Sequence, residues 1–271
     1  MATATSLSDS GERAVLTAGD PDPVGIENPQ SDAPFLLICD HAGNAVPARL
    51  GDLGLAPEEL NRHIAIDIGA LSVARRLVTL LDAPLYYQRY SRLVVDSNRQ
   101  LHAADSMPTL SDGTEVPGNR GLSPEEREAR ARAILAPYHD RIEEAIEHRL
   151  SRGRETILVS VHSFTPKLKA RPTDRPWHVG VCWGEDDRFA RHTLAALAAE
   201  HDLRVGANEP YSVDMVNDYS IPLHAERRRL PYVEFEIRQD LLSGEREAQE
   251  WADRLARVLR RARETFRAEG V

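Results

Sequence analysis

The chain has 271 residues, 41% hydrophobic and 28% charged, an ordinary balance for a soluble globular protein and enough material for one large α/β domain or two small ones. Its formal net charge of −9, with arginines scattered rather than gathered in one basic run, argues against nucleic acid or an anionic membrane as the main partner. No apolar stretch reaches ~18 residues, so no membrane span is expected.

The opening, MATATSLSDSGERAV, has no charged segment leading into an apolar core, so no secretory signal is read and a cytoplasmic location is the default. Residues 1–33 are rich in Ser, Asp, Pro and Gly and read as a flexible lead-in; residues 34–271 read as one domain. APFLLICD is the first buried strand, a continuous apolar run. Helical spacing of Leu71, Val73, Leu77 and Leu80 predicts a helix over 69–81, after a shorter helical turn from Pro57. APLYYQRYSRLVVDSNR gives a second strand, a break and an apolar step ending at Asp96. Residues 102–122 form a long loop, the kind that serves as a lid or binding loop. A long helix follows from Ser123, with Pro124 at its first position and Glu126 completing a capping box. TILVSVHSF and WHVGVCWG are strands, EDDRFARHTLAALAAEHDL is a helix, and RVGANEPYS is a short strand and turn. A strand over 232–237 and an amphipathic C-terminal helix with Trp251, Leu255, Val258 and Leu259 inward complete the chain. Strands alternating with helices predict an α/β fold, a single domain with a mixed, mostly parallel sheet sandwiched between helices.

Two strands end on histidine, LLICDHAG at His41 and ILVSVHSF at His162. Parallel strands would bring both to one sheet edge, where open α/β sheets place their ligands. Neutral imidazole suits zinc, and a catalytic zinc takes three protein ligands and leaves a position open. HIAIDIGA offers His63 and Asp67 as the third ligand. YVEFEIRQD offers Glu234 and Glu236, which alternation puts on one face, as the base. Carboxyl groups inside an apolar strand are costly without partners, which favours a chemical role for them. Each has a plainer reading too: Asp67 capping a helix, Glu234 pairing with Arg238, and Asp96 bridging Arg92 or Arg99. His102, His139, His148, His192 and His201 read as surface residues. Cys39 and Cys182 sit in apolar runs and read as buried thiols. A Cys39 nucleophile beside His41 is disfavoured, because strand neighbours point to opposite faces.

CDHAGNAVP, HIAIDIGA, YSRLVVDSNR, SVHSF, NEPYS and VEFEIRQDLL, in this order, resemble the N-formylglutamate amidohydrolase family from about Leu36 to Leu242. The resemblance implies a fold similar to zinc carboxypeptidases and cell-wall amidases, with one Zn2+ per chain. It implies His41, His162 and Asp67 as ligands, where the cell-wall amidases carry a glutamate in place of the aspartate. It implies Glu236 as general base. Arg92, Asn98 and Arg99 would hold a substrate carboxylate or shape its pocket, Asn208 and Tyr211 would line that pocket, and His224 would orient substrate or polarise its carbonyl. The implied substrate is a small N-acyl amino acid such as N-formyl-L-glutamate, whose cleavage to formate and glutamate fits histidine degradation. Alternatives are hydrolysis of another N-acyl amino acid or small peptide amide, and a catalytically inactive module that binds carboxylates. No feature of the sequence fixes an oligomeric state.

Overall fold

Every strand read from the sequence is present in the computed structural model, which describes residues 14–270. In chain order the strands and helices are β1 (Val24–Glu27), β2 (Phe35–Cys39), α1 (Ala70–Leu81), β3 (Leu85–Gln88), β4 (Leu110–Ser111), β5 (Thr114–Glu115), α2 (Pro124–Arg130), α3 (Ala136–Ser151), β6 (Ile157–Phe164), β7 (Val179–Cys182), α4 (Arg188–Leu197), β8 (Val205–Ala207), α5 (Ser220–His224), β9 (Tyr232–Arg238) and α6 (Glu245–Ala268). Seven strands form one sheet in the order β1-β3-β2-β6-β9-β7-β8. The pairings β3–β2, β2–β6, β6–β9 and β7–β8 are parallel; β1–β3 and β9–β7 are antiparallel.

Alternation along the central strands decides which layer each residue meets. Leu37, Cys39, Val159, Val161, Val233, Phe235 and Ile237 face the layer containing α1, α4 and α6, where Leu77, Phe189 and Leu255 are among their buried companions. Leu36, Ile38, Leu158 and Tyr232 face the other way, against Tyr138, Ile142 and Ile146 of α3 and Ile221 of α5. The expected sandwich is therefore built from parity in the sequence. Among the described residues no helix is long and apolar enough to cross a membrane.

Four local details go beyond the sequence reading. Part of the lead-in is structured: β1 pairs antiparallel with β3 and Val24 is buried, while residues 1–13 lie outside the described residues. The apolar step Leu93–Val95 is buried but makes no strand; it packs as turns in a third cluster with Tyr90, Ile134 and Leu135. The long loop contains the hairpin β4–β5, whose turn residues Asp112 and Gly113 both have positive φ, as a tight two-residue hairpin requires. The long helix does begin with the Ser123–Glu126 capping box, but its turn over 131–135 is widened just before Pro137, which has no N–H to donate to the turn behind it.

Candidate active site and metal centre

On the α3 and α5 side, the even positions turn polar toward the carboxyl ends of the strands. Leu36 and Ile38 give way to Asp40, Leu158 to Ser160 and His162, and Tyr232 to Glu234 and Glu236. Parallel pairing of β6 with β9 sets Ser160 beside Glu234 and His162 beside Glu236. Asp67 reaches the same point from the segment before α1, where its N–H donates to the His41 carbonyl at 2.9 Å. Two residues on, Gly69 has φ +82°, and a Cβ there would lie 2.5 Å from Leu242, so the turn that delivers Asp67 requires glycine.

His41, Asp67 and His162 are buried and can offer one ligand atom each within 4.8 Å of one another. His162 Nδ1 lies 2.8 Å and His41 Nδ1 3.4 Å from the same Asp67 oxygen. The opposite ring nitrogens face other carboxylates: His41 Nε2 is 2.7 Å from Asp96 Oδ1, and His162 Nε2 is 3.2 Å from Asp40 Oδ2. An Nε2–H donated to a carboxylate leaves each Nδ1 lone pair pointing at the shared centre, the arrangement carboxylates impose on metal-ligating histidines. His41 Nδ1 is buried and has no hydrogen-bond partner, as a ligand atom awaiting a cation would be. Asp40 is held in turn by the Tyr138 and Ser220 hydroxyls, both at 2.8 Å. These residues fit a bound metal ion.

The charge balance points the same way. Asp40, Asp67, Asp96, Glu234 and Glu236 are all buried around two imidazoles and Arg92. Burial raises the Asp67 pKa, but the two imidazoles outweigh it and hold the carboxyl well below its usual range. Burial opposes protonation of His162, yet hydrogen bonds to Asp40 and Asp67 raise its pKa well above that of ordinary imidazole. Glu234 is pushed up to about 7 and Glu236 also well upward, chiefly by burial, with His162 opposing in both cases. An Oε2 atom of each glutamate is buried without a hydrogen bond. The Glu234–Arg238 pair is not formed; Arg238 pairs with Asp240 at 2.8 Å.

A cavity of about 490 Å³ opens over this centre. Arg92, Asn98, Arg99 and Tyr211 line it, with His41, Asp67, His162, Glu234 and Glu236. Arg92 is already gripped by Asp96, through Nε at 2.9 Å and Nη2 at 2.7 Å. Arg99 is tied to Asp218 and to Asp105. Asn98 lines the cavity too, and its Oδ1 accepts the Tyr219 and Ser220 N–H groups.

Two candidates lie elsewhere. Asn208 accepts the Trp183 N–H at 2.8 Å and does not line the cavity. His224 is fully buried behind it, 2.9 Å from His139. His139 and His192, read as surface residues, are buried. His63 lines the cavity wall but is not one of the three converging groups. Sequence reasoning missed the supporting carboxylate Asp40, although it stands next to His41.

The N-formylglutamate amidohydrolase family profile matches residues 33–243. No curated protein matches the chain. Among solved structures, a gene product of Agrobacterium tumefaciens is 36% identical with a TM-score of 0.88, covering 93% of this chain and 99% of its own. An N-formylglutamate amidohydrolase from Ralstonia eutropha is 22% identical with a TM-score of 0.63, covering 93% of this chain and 100% of its own.

Proposed function

Because the chain belongs to the N-formylglutamate amidohydrolase family, an amide hydrolase family, we propose that it cleaves the N-formyl or small N-acyl amide of an amino acid, such as N-formyl-L-glutamate, using one zinc ion and Glu236 as general base. The observation that carries this reading is the convergence of two imidazole nitrogens and one carboxylate oxygen beside two buried acids on β9. His41, His162 and Asp67 would hold the ion and leave a position open. When bound, zinc supplies Lewis-acid chemistry, polarising the amide carbonyl and acidifying water.

The chain's own residues do the rest. Asp96 and Asp40 hold the two imidazoles in the tautomer that presents Nδ1. Glu236 takes the proton of the attacking water and returns it to the leaving amine; burial raises its pKa, which makes the carboxylate a stronger proton acceptor than a solvated one. Glu234, on the same face two residues away, keeps the site's charge adjustable through its own protonation. The Asn98 amide and the exposed edges of Arg92 and Arg99 serve the substrate's carboxylate.

The test is metal analysis by mass spectrometry of protein purified without added metal or chelator, for wild type and His162→Ala, with formate release from N-formyl-L-glutamate measured alongside. About one zinc per chain, lost together with formate release in the variant, supports the reading. No metal in either protein after reconstitution overturns it and puts the carboxylate-binding module in front.

A further inference from the structure

A second cavity, of about 380 Å³, adjoins the first. The two share His63, Arg92, Asp105 and Tyr211 as lining residues. The outer wall is made by the β4–β5 hairpin and residues 168–171. Asp112 joins these pieces, accepting the Arg62 guanidinium at 3.0 Å and the Ala170 N–H at 2.9 Å. Each chamber alone has the volume of a complete small-molecule site. An N-formyl amino acid is far smaller than the ligands such sites hold, so it would leave the outer chamber to water.

The polar groups of that outer chamber are unevenly satisfied. Asp96 is paired with Arg92, Asp105 with Arg99, and Asp112 with Arg62. Arg171 has no carboxylate partner among the described residues, although it lines the chamber. At the junction, His63 Nε2 is buried and makes no hydrogen bond; its nearest acidic atom, Asp112 Oδ2, is 3.3 Å away. A cation without a counter-ion at one end and an imidazole nitrogen without a hydrogen bond in the passage describe a path for a polar, anionic chain.

Resting on the hydrolase reading above, we infer that the preferred substrate spans both chambers: an N-acyl amino acid or short peptide amide longer than an N-formyl amino acid, with a further, distal carboxylate at Arg171. The inner chamber holds the scissile amide, His63 meets a polar atom of the extension, and Arg171 reads its terminal anion. The reaction remains the addition of water across one amide.

The test compares kcat/KM of metal-loaded enzyme across two matched pairs, with N-formyl-L-glutamate as the short reference. N-Succinyl- against N-butyryl-L-glutamate varies a distal carboxylate on the acyl side. N-Formyl-L-glutamyl-L-glutamate against N-formyl-L-glutamyl-L-norvaline varies it on the amine side. The expected result is that at least one substrate with the added distal carboxylate surpasses both its match lacking that group and the short reference. A preference of about fivefold over the match, the worth of one partly exposed ion pair, should vanish in Arg171→Glu. A best rate on N-formyl-L-glutamate, with both ratios unmoved in Arg171→Glu, would overturn the inference and leave the hydrolase intact. No turnover of any of the five compounds would instead defeat the hydrolase reading. Calorimetry of the succinyl and butyryl compounds then decides the outer chamber alone: tighter binding of the succinyl compound, lost in Arg171→Glu, supports it, and equal binding removes it.

Discussion

Phe235 and Glu236 are neighbours on β9, yet they serve opposite halves of the molecule. Phe235 points into the layer of α1, α4 and α6, among apolar strand neighbours that include Val161, Val233 and Ile237. Glu236 points to the α3 and α5 side, whose face is apolar at the amino ends of the strands and ionisable at the carboxyl ends. The first face removes hydrocarbon from water and stabilises the fold at about 25 cal/mol per Å². The second buries carboxyl groups that weaken the fold unless partners or a cation compensate them. One strand thus separates stability from chemistry by parity alone, and each substitution below acts on one side of that division.

The largest effect belongs to the centre of the polar face. His162→Ala is expected to lower formate release by at least about 10⁴-fold, because several kcal/mol of Lewis-acid stabilisation leave with the ion. Metal analysis should show the ion gone while circular dichroism keeps the native spectrum. Glu236→Gln comes next. Removing the proton acceptor should cost roughly 10³-fold in kcat with the metal content unchanged. Retained activity would move the base to Glu234, which the same assay on Glu234→Gln would reveal. Asp96→Asn is milder, about 10- to 100-fold in metal affinity or rate, since His41 keeps its place but loses the carboxylate that fixes its tautomer. Titration with a chelator of known affinity would read the difference.

The apolar face gives the converse. Leu255 is fully buried in α6 within the layer that receives Phe235. Leu255→Ala should lower unfolding free energy by about 2–5 kcal/mol in a denaturant titration. Turnover per folded molecule should stay as it was. A loss of turnover at full folding would show that the two faces are coupled rather than separate.

Much of this division was legible in the sequence. Continuous apolar strands marked the buried sheet, and histidines at two strand ends with glutamates two apart on a third gave the polar parity. The supporting tier was hidden because its partners are distant in sequence: Ser220 is 180 residues from Asp40, and Tyr138 is 98. Only folding brings them together. His139 was misread for a different reason. It stands three residues before Ile142 and seven before Ile146, on the buried stripe of α3, so helical spacing already placed it inside. The hairpin was available as well, since Asp-Gly between Leu110–Ser111 and Thr114–Glu115 is a tight-turn signal. Asn208 and His224 came from motif position alone. The first is taken by a backbone N–H and the second by a buried neighbour, and neither tie leaves a trace in local sequence.

That neighbour supplies the smallest and most specific prediction. His139 Nε2 is 2.9 Å from the Ser97 carbonyl, which can only accept, so that nitrogen carries the proton. His139 Nδ1 must then accept from His224 Nε2, and His224 Nδ1 is left bare and buried. The neutral pair fits this chain of bonds; a second proton would sit unsolvated beside the first imidazole. Burial accordingly lowers both pKa values, that of His224 well below the ordinary imidazole. The folded pKa values lie below the unfolded value of about 6.5, so the unfolded chain binds protons first as the solution is acidified. The pair's contribution is complete above pH ~6.5 and is lost as pH falls below it, by up to about 1.4 kcal/mol per pH unit for each proton. Denaturant titrations between pH 5 and 7 should therefore show wild type losing stability on acidification more steeply than His224→Gln, which cannot take up that proton in either state. Parallel slopes for the two proteins would mean that the pair is protonated within the fold, and that the polar layer behind the cavity is wetter than its hydrogen bonds imply.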